Sequence, residues 1–181
     1  MNDKKIIRAT RQWINTVVVG LDLCPFAKRE VTRDRVRFAV TEAKTEEELL
    51  AELAGEFQLL GVDSSIETTL LIHPQVLQDF YDYNEFLNLA DELLVSMHLE
   101  GVYQVASFHP GYRFSGTDPD DAENYSNRSP WPMLHILREE SVERAIAAYA
   151  DVEQIPARNI AKLQDVGADK LELLLQNAAA K

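Results

Sequence analysis

Thr68-Thr69-Leu70-Leu71-Ile72-His73-Pro74 is a short apolar run, half of it β-branched, that stops at a histidine and a proline. It reads as a buried strand closed at residue 73. Upstream, residues 35–41 alternate: Val36, Phe38 and Val40 face one way, Arg35, Arg37 and Ala39 the other, which is a half-buried strand. Downstream, residues 102–108 supply a third strand, again closed by a His-Pro pair, His109-Pro110. Each gap holds one helical pattern. Thr45 with Glu48 forms a capping box before Leu49, Leu50, Leu53 and Phe57, and Gly61 stops that helix. Phe86, Leu87, Ala90, Leu93, Leu94 and Met97 give the inner stripe of a second helix over residues 84–99.

Strands that alternate with single helices predict crossover units and an α/β fold. The expected architecture is a small parallel sheet of three to four strands flanked by helices, with a helical C-terminal region. An antiparallel α+β sheet is the alternative. The parallel arrangement places His73 and His109 on the same edge, past the carboxyl ends of their strands, where open α/β sheets hold ligands. The antiparallel one sends them to opposite edges.

The N-terminal residues 4–20 repeat Ile6, Ile7, Ile14, Val17, Val18 and Leu21 at helical spacing. Asn15, Thr16 and Asp22 interrupt what would otherwise resemble a signal peptide, and no small-x-small cleavage site follows. No apolar run approaches the ~18 residues needed to cross a membrane. The 181 residues suit a single domain, 1–181, and show no repeat or linker. One cysteine, Cys24, fits a reducing cytoplasm. The formal charge of −12 opposes nucleic-acid phosphates at long range.

Residues 108–139, FHPGYRFSGTDPDDAENYSNRSPWPMLHILRE, concentrate the side chains that carry chemistry. A connection this long in a compact domain binds, covers or catalyses something more often than not. His109 opens it and can titrate near neutrality as an acid or base, or it fixes the turn at Pro110-Gly111. Asn127-Arg128-Ser129-Pro130-Trp131-Pro132 reads as the entrance to a helix over residues 132–139, capped by Ser129, with Arg128 and free amides offering an anion site. On that helix His135, Arg138 and Glu139 share a face, so Glu139 can orient His135; a solvated salt-bridge face is the competing reading. Arg113, Asn127 and Tyr112 complete the substrate-contacting candidates, and Tyr125 or Trp131 can wall a pocket. Asp118, Asp120, Asp121 and Glu123 lack calcium-loop spacing and read as a turn around Pro119.

Cys24 sits before Pro25, where a short helix over residues 25–30 would place it at the N-cap and stabilise a thiolate, with Lys28 and Arg29 nearby. The competing readings are a buried hydrophobe and a metal ligand. A Cys24/His73/His109/His135 zinc or iron site is chemically conceivable, but its ligands are scattered singly, and no metal is assigned. No Walker loop, dinucleotide glycine fingerprint, Cys-x-x-Cys pair or His-Glu-x-x-His motif occurs, so no cofactor is named.

Leu23-Cys24-Pro25-Phe26-Ala27, Ala106-Ser107-Phe108-His109-Pro110 and Asn127-Arg128-Ser129-Pro130-Trp131-Pro132, followed by Leu134-His135-Ile136-Leu137-Arg138-Glu139, together resemble one bacterial family, domain of unknown function 1415. The resemblance covers nearly the whole chain. Asp22 departs from it, standing between Leu21 and Leu23 where an asparagine is expected. What it implies is a bacterial, soluble, single-domain protein; it brings no activity, substrate or catalytic residue.

Two functions are therefore expected to compete. One is an enzyme acting on a small anionic molecule, with His109, His135, Cys24 and Glu139 as catalytic groups and Arg128, Arg138, Arg113, Asn127 and Tyr112 binding the substrate. The other is a non-catalytic binding or interaction protein. A metal-binding role stands third. Convergence of the polar groups on one cavity favours the enzyme; local satisfaction of each favours the binding protein.

Overall fold

The computed structural model describes residues 2–180. Its centre is a four-stranded sheet in the order β1-β2-β4-β3: β1 Val36–Val40, β2 Thr68–Ile72, β3 Tyr103–Phe108 and β4 Met133–Arg138. β1 and β2 are parallel, while β4 runs antiparallel to both β2 and β3. The sheet is thus mixed, neither the expected parallel sheet nor its antiparallel alternative. Helices α3 (Glu46–Val62) and α4 (Phe80–Ser96) make the two crossovers, so β1, β2 and β3 all point the same way and β4 fills the slot between β2 and β3.

β4 corrects the sequence reading, which placed a helix there. Its apolar residues alternate along a strand. Leu134 and Ile136 face α3 and α4, where they join Leu71 and Tyr103 against Leu53, Phe57, Phe86 and Ala90. Met133 faces the other way. There it meets Leu70 and Ile72 and the layer formed by α1 (Asp3–Trp13), α6 (Ile155–Val166) and α7 (Ala168–Ala180). A period of two buries residues on both faces at once, which a sheet-centre position demands and one helical stripe cannot supply. β2, flanked on both edges and covered on both faces, is buried at every residue.

The elements around the sheet follow their local signals with shifts. The capping box at Thr45 and Glu48 forms as read. α4 starts earlier than its apolar stripe because the Asp79 carboxylate accepts from the Tyr81 and Asp82 amides. The first helix widens into a π-turn over Ile14–Val18, and Gly20 closes it so tightly that a Cβ there would lie 2.4 Å from the Thr16 carbonyl oxygen. α2 (Ala27–Thr32) begins after Phe26, so Cys24 is not its N-cap. α5 (Glu139–Ala148) follows β4 directly, with Arg138 at its N-cap position and no side-chain cap. No helix among the described residues is long and apolar enough to cross a membrane.

Arg138, at the end of β4, reaches the C-terminus of α3. One guanidinium nitrogen donates to the carbonyls of Leu60 at 2.6 Å, Ile66 at 3.0 Å and Asp63 at 3.3 Å. A cation there satisfies acceptors the helix leaves open and opposes its dipole. Arg138→Met should therefore lower the unfolding free energy by about 2 kcal/mol in urea titrations, with an unchanged m-value.

Candidate functional site

β1, β2 and β3 end on one edge of the sheet, and β4 begins there. His73 and His109 meet at this edge, as the crossover spacing required, although β4 stands between their strands. Tyr83 of α4 joins them. Its hydroxyl accepts from the Phe108 amide at 3.0 Å and donates to the Met133 carbonyl at 2.9 Å, bridging β3 and β4 where their ladder opens. Its ring lies 5.7 Å from that of His73, nearly parallel, and 5.0 Å from that of His109. Burial raises the Tyr83 pKa, so the phenol stays a donor.

The hydrogen bonds fix both tautomers. The Gly111 amide donates to His109 Nδ1 at 2.9 Å, so Nε2 carries the proton and donates to the Leu77 carbonyl at 3.2 Å. Both nitrogens are spent on main chain, and the residue is 2% exposed. Desolvation lowers its pKa, the Leu77 carbonyl working the other way. His73 is completely buried; its Nδ1 donates to the Val76 carbonyl at 3.0 Å, leaving Nε2 without a partner among the described residues. Desolvation pushes its pKa down to about 4.

Residues 109–132 leave this edge and return to it, and the loop orders itself. Asn124, fully buried, accepts from the Phe114 amide and the Thr117 hydroxyl and donates to the Asp118 carbonyl. Arg128 donates to the carbonyls of Tyr112 at 3.1 Å and Pro119 at 2.5 Å and lies 4.5 Å above the Tyr125 ring. The Asn127 amide donates to the Ser107 carbonyl, and its own carbonyl accepts from the His109 amide. Ser129 donates to the Trp131 carbonyl rather than capping a helix. Asp121 accepts from the Asp118 amide, forming the turn read around Pro119.

The segments that lock this loop and the Cys24 turn are those that carry the family resemblance, and the model of the family described as protein of unknown function (DUF1415) matches residues 5–173. The chain belongs to that family. No curated protein and no solved structure matches it.

The remaining candidates of this DUF1415 chain disperse. His135 lies on β4, where its Nε2 donates to the Thr68 hydroxyl at 2.8 Å, and that hydroxyl donates onward to the Ile136 carbonyl. Desolvation takes its pKa to about 4. Glu139 is four residues along, roughly 13 Å on an extended chain, so the helical i, i+4 pairing that would let it orient His135 does not exist. Arg138 faces α3. Cys24 is partly exposed near α6, where the Leu23 carbonyl accepts from Asn159, and no hydrogen bond or ring contact among the described residues joins it to His109, His135 or Arg128. Burial pushes its thiol pKa up, the Phe26 and Ala27 amides offsetting this only in part. Among the described residues no group of three metal-ligating side chains forms. A hollow of about 510 Å³ opens on this same edge, past the ends of β1 and β2, between Glu42, Lys44, Glu48, Glu52 and Gln75, and none of the candidates lines it.

What faces outward past the end of β3 is aromatic. Tyr112 packs on Phe80 at 5.2 Å and on Phe114 at 5.0 Å, and Arg113 donates to the Tyr81 hydroxyl at 2.6 Å. Tyr81 is 62% exposed and Phe114 37%. Sequence reasoning missed Tyr83, Tyr81 and Phe80. The available signal was Asp79 as a helix cap, which turns Phe-Tyr-Asp-Tyr into a first helical turn beside the strand ends.

Two consequences are measurable. Tyr83→Phe leaves the Phe108 amide and Met133 carbonyl unbridged in a buried place and should cost about 2 kcal/mol of stability. Acid should destabilise the fold through its desolvated imidazoles. In the unfolded chain a histidine takes its proton near pH 6.5, whereas His73 and His135 in the fold do so only near 4. The unfolded state thus binds more protons in that window, so stability is complete above about pH 6.5 and falls as the pH drops toward 4. His73 alone accounts for about 3 kcal/mol. Thermal melts from pH 8 to 4 should show the decline, and His73→Gln should make it shallower, leaving the share due to His135.

Proposed function

We propose that this chain is a non-catalytic protein-interaction domain, and that its contact surface is the aromatic ridge of Phe80, Tyr81, Tyr112 and Phe114 with Arg113. The observation that supports this most is where the polar side chains are spent. His109 uses both nitrogens on main chain, and Arg128 and Arg138 direct their guanidiniums onto carbonyls. Proton transfer needs an imidazole nitrogen that a solute can reach, and an anion site needs a guanidinium with free donors. The bare Nε2 of His73 lies sealed in the interior. The Cys24 thiol, with its pKa raised, lacks the thiolate character of a nucleophile.

The ridge has the opposite character. The first turn of α4 carries Phe80 and Tyr81, the clamped loop carries Tyr112 and Phe114, the rings stand partly in water, and an arginine lies among them. Aromatic residues and arginine dominate the energetic centres of protein interfaces because they bury large area at small entropic cost. The acidic composition, with formal charge −12, continues to argue against a nucleic-acid partner.

A photo-crosslinking residue at position 114 in the producing cell should yield a discrete protein adduct, lost on Tyr81→Ala and absent with the crosslinker at exposed position 92. Cys24→Ala should keep both the adduct and the melting temperature. Turnover of a small anion that Cys24→Ala abolishes without unfolding the chain would overturn the interaction reading and restore the enzyme.

A further inference from the structure

The ridge has acidic ground on two sides. Asp79 and Asp82 bracket Phe80 and Tyr81 at the start of α4, and both are exposed. On the other side Arg128 grips the Tyr112 and Pro119 carbonyls with one guanidinium, which draws the Asp118-Pro119-Asp120 turn up beside Tyr112 and Phe114. Asp118 and Asp120 are exposed as well. The carboxylate of Asp79 accepts from two amides; those of Asp118 and Asp120 make no hydrogen bond among the described residues.

The rings of this region already hold guanidinium groups. Arg128 lies 4.5 Å above Tyr125, and Arg113 stands 5.8 Å from the centre of Tyr81. A ring face attracts a cation through its quadrupole, and neighbouring carboxylates add a Coulomb term that salt screens. Rings carrying one arginine between two acidic flanks suit a ligand that is itself cationic.

Resting on the interaction reading above, we propose that the partner presents a basic, arginine- and lysine-rich segment, which lies across Tyr81, Tyr112 and Phe114 with its charges directed at Asp79, Asp82, Asp118 and Asp120. The carboxylates draw the segment in. The rings decide where it sits. The net charge of −12 reinforces the approach from a distance but cannot by itself choose this face over another.

Three fluorescein-labelled peptides of equal length test this on the full chain by anisotropy: one rich in arginine and lysine, one with glutamate in their place, one neutral. The basic peptide should bind, with affinity falling as salt rises. Tyr81→Ala with Phe114→Ala should weaken it about tenfold. Asp118→Asn with Asp120→Asn should weaken it and flatten the salt dependence; melting curves of each variant confirm that the compared chains are folded, and Tyr81→Ala alone serves where the double ring variant is not. Binding of the basic peptide that the ring variants do not alter would mean general attraction to an acidic protein and would overturn the proposal. Ring-dependent binding of the neutral or acidic peptide would overturn the basic partner while leaving the interaction surface standing. No binding of any peptide overturns the proposal, and the crosslinking experiment then decides the interaction reading separately.

Discussion

β4 is hydrogen-bonded between two strands that run the same way, and the geometry of the candidate surface follows from that insertion. Because β4 is antiparallel to its predecessor β3, the chain must leave the sheet at Phe108 and re-enter at Met133 on the same edge. The intervening segment therefore cannot cross a face of the sheet as the helical crossovers do. It has to fold back on itself above the strand ends, where His73, Tyr83 and His109 already crowd. A loop so confined carries many main-chain groups out of water, and each needs a partner. Asn124, Arg128, Asn127, His109 and Tyr83 supply those partners.

This explains why residues with chemical potential do structural work here. An arginine that bridges two carbonyls, or an imidazole that accepts an amide and donates to a carbonyl, is a cross-link between parts of the main chain that regular secondary structure does not reach. Tyr83 shows the same logic at the boundary of the sheet. Its hydroxyl completes the last β3–β4 rung, and its ring gives both histidines a wall to lie on. Burial then keeps those imidazoles neutral, which preserves the tautomers on which the bonds depend.

Much of this was legible beforehand. Period-two alternation marked β1, continuous burial marked β2, and the gaps that each held one helix correctly placed His73 and His109 on a common edge. The error lay at residues 132–139. There His135, Arg138 and Glu139 at i, i+3 and i+4 looked like one helical face, but the same residues also alternate, with Met133, His135 and Leu137 opposite Leu134, Ile136 and Arg138. A six-residue run with four apolar positions satisfies both periods, and only the need for a strand between β2 and β3 decides between them. That need is non-local, so no window of sequence contains it. The misreading carried the proposed His135–Glu139 pair with it. The long loop was correctly singled out as unusual, but the order within it rests on bonds such as Arg128 to Tyr112 and Pro119, which composition cannot reveal.

With Arg128 and His109 committed to main-chain groups, the proposed recognition has left to it what remains outside: partly exposed rings with Arg113 among them, and the Asp118 and Asp120 carboxylates, which make no hydrogen bond among the described residues. That division of labour has a physical advantage. The clamps fix the rings before any partner arrives, so little conformational entropy is lost when one docks. The exposed carboxylates cost the fold almost nothing, since they stay hydrated until a counter-charge displaces the water. A loop built in this way is bonded where it packs and charged where it meets solvent, and the formal charge of −12 makes copies of the chain repel one another at long range. For the partner proposed above, the same acidity favours approach by sign and opposes the polyanions that the sequence already argued against.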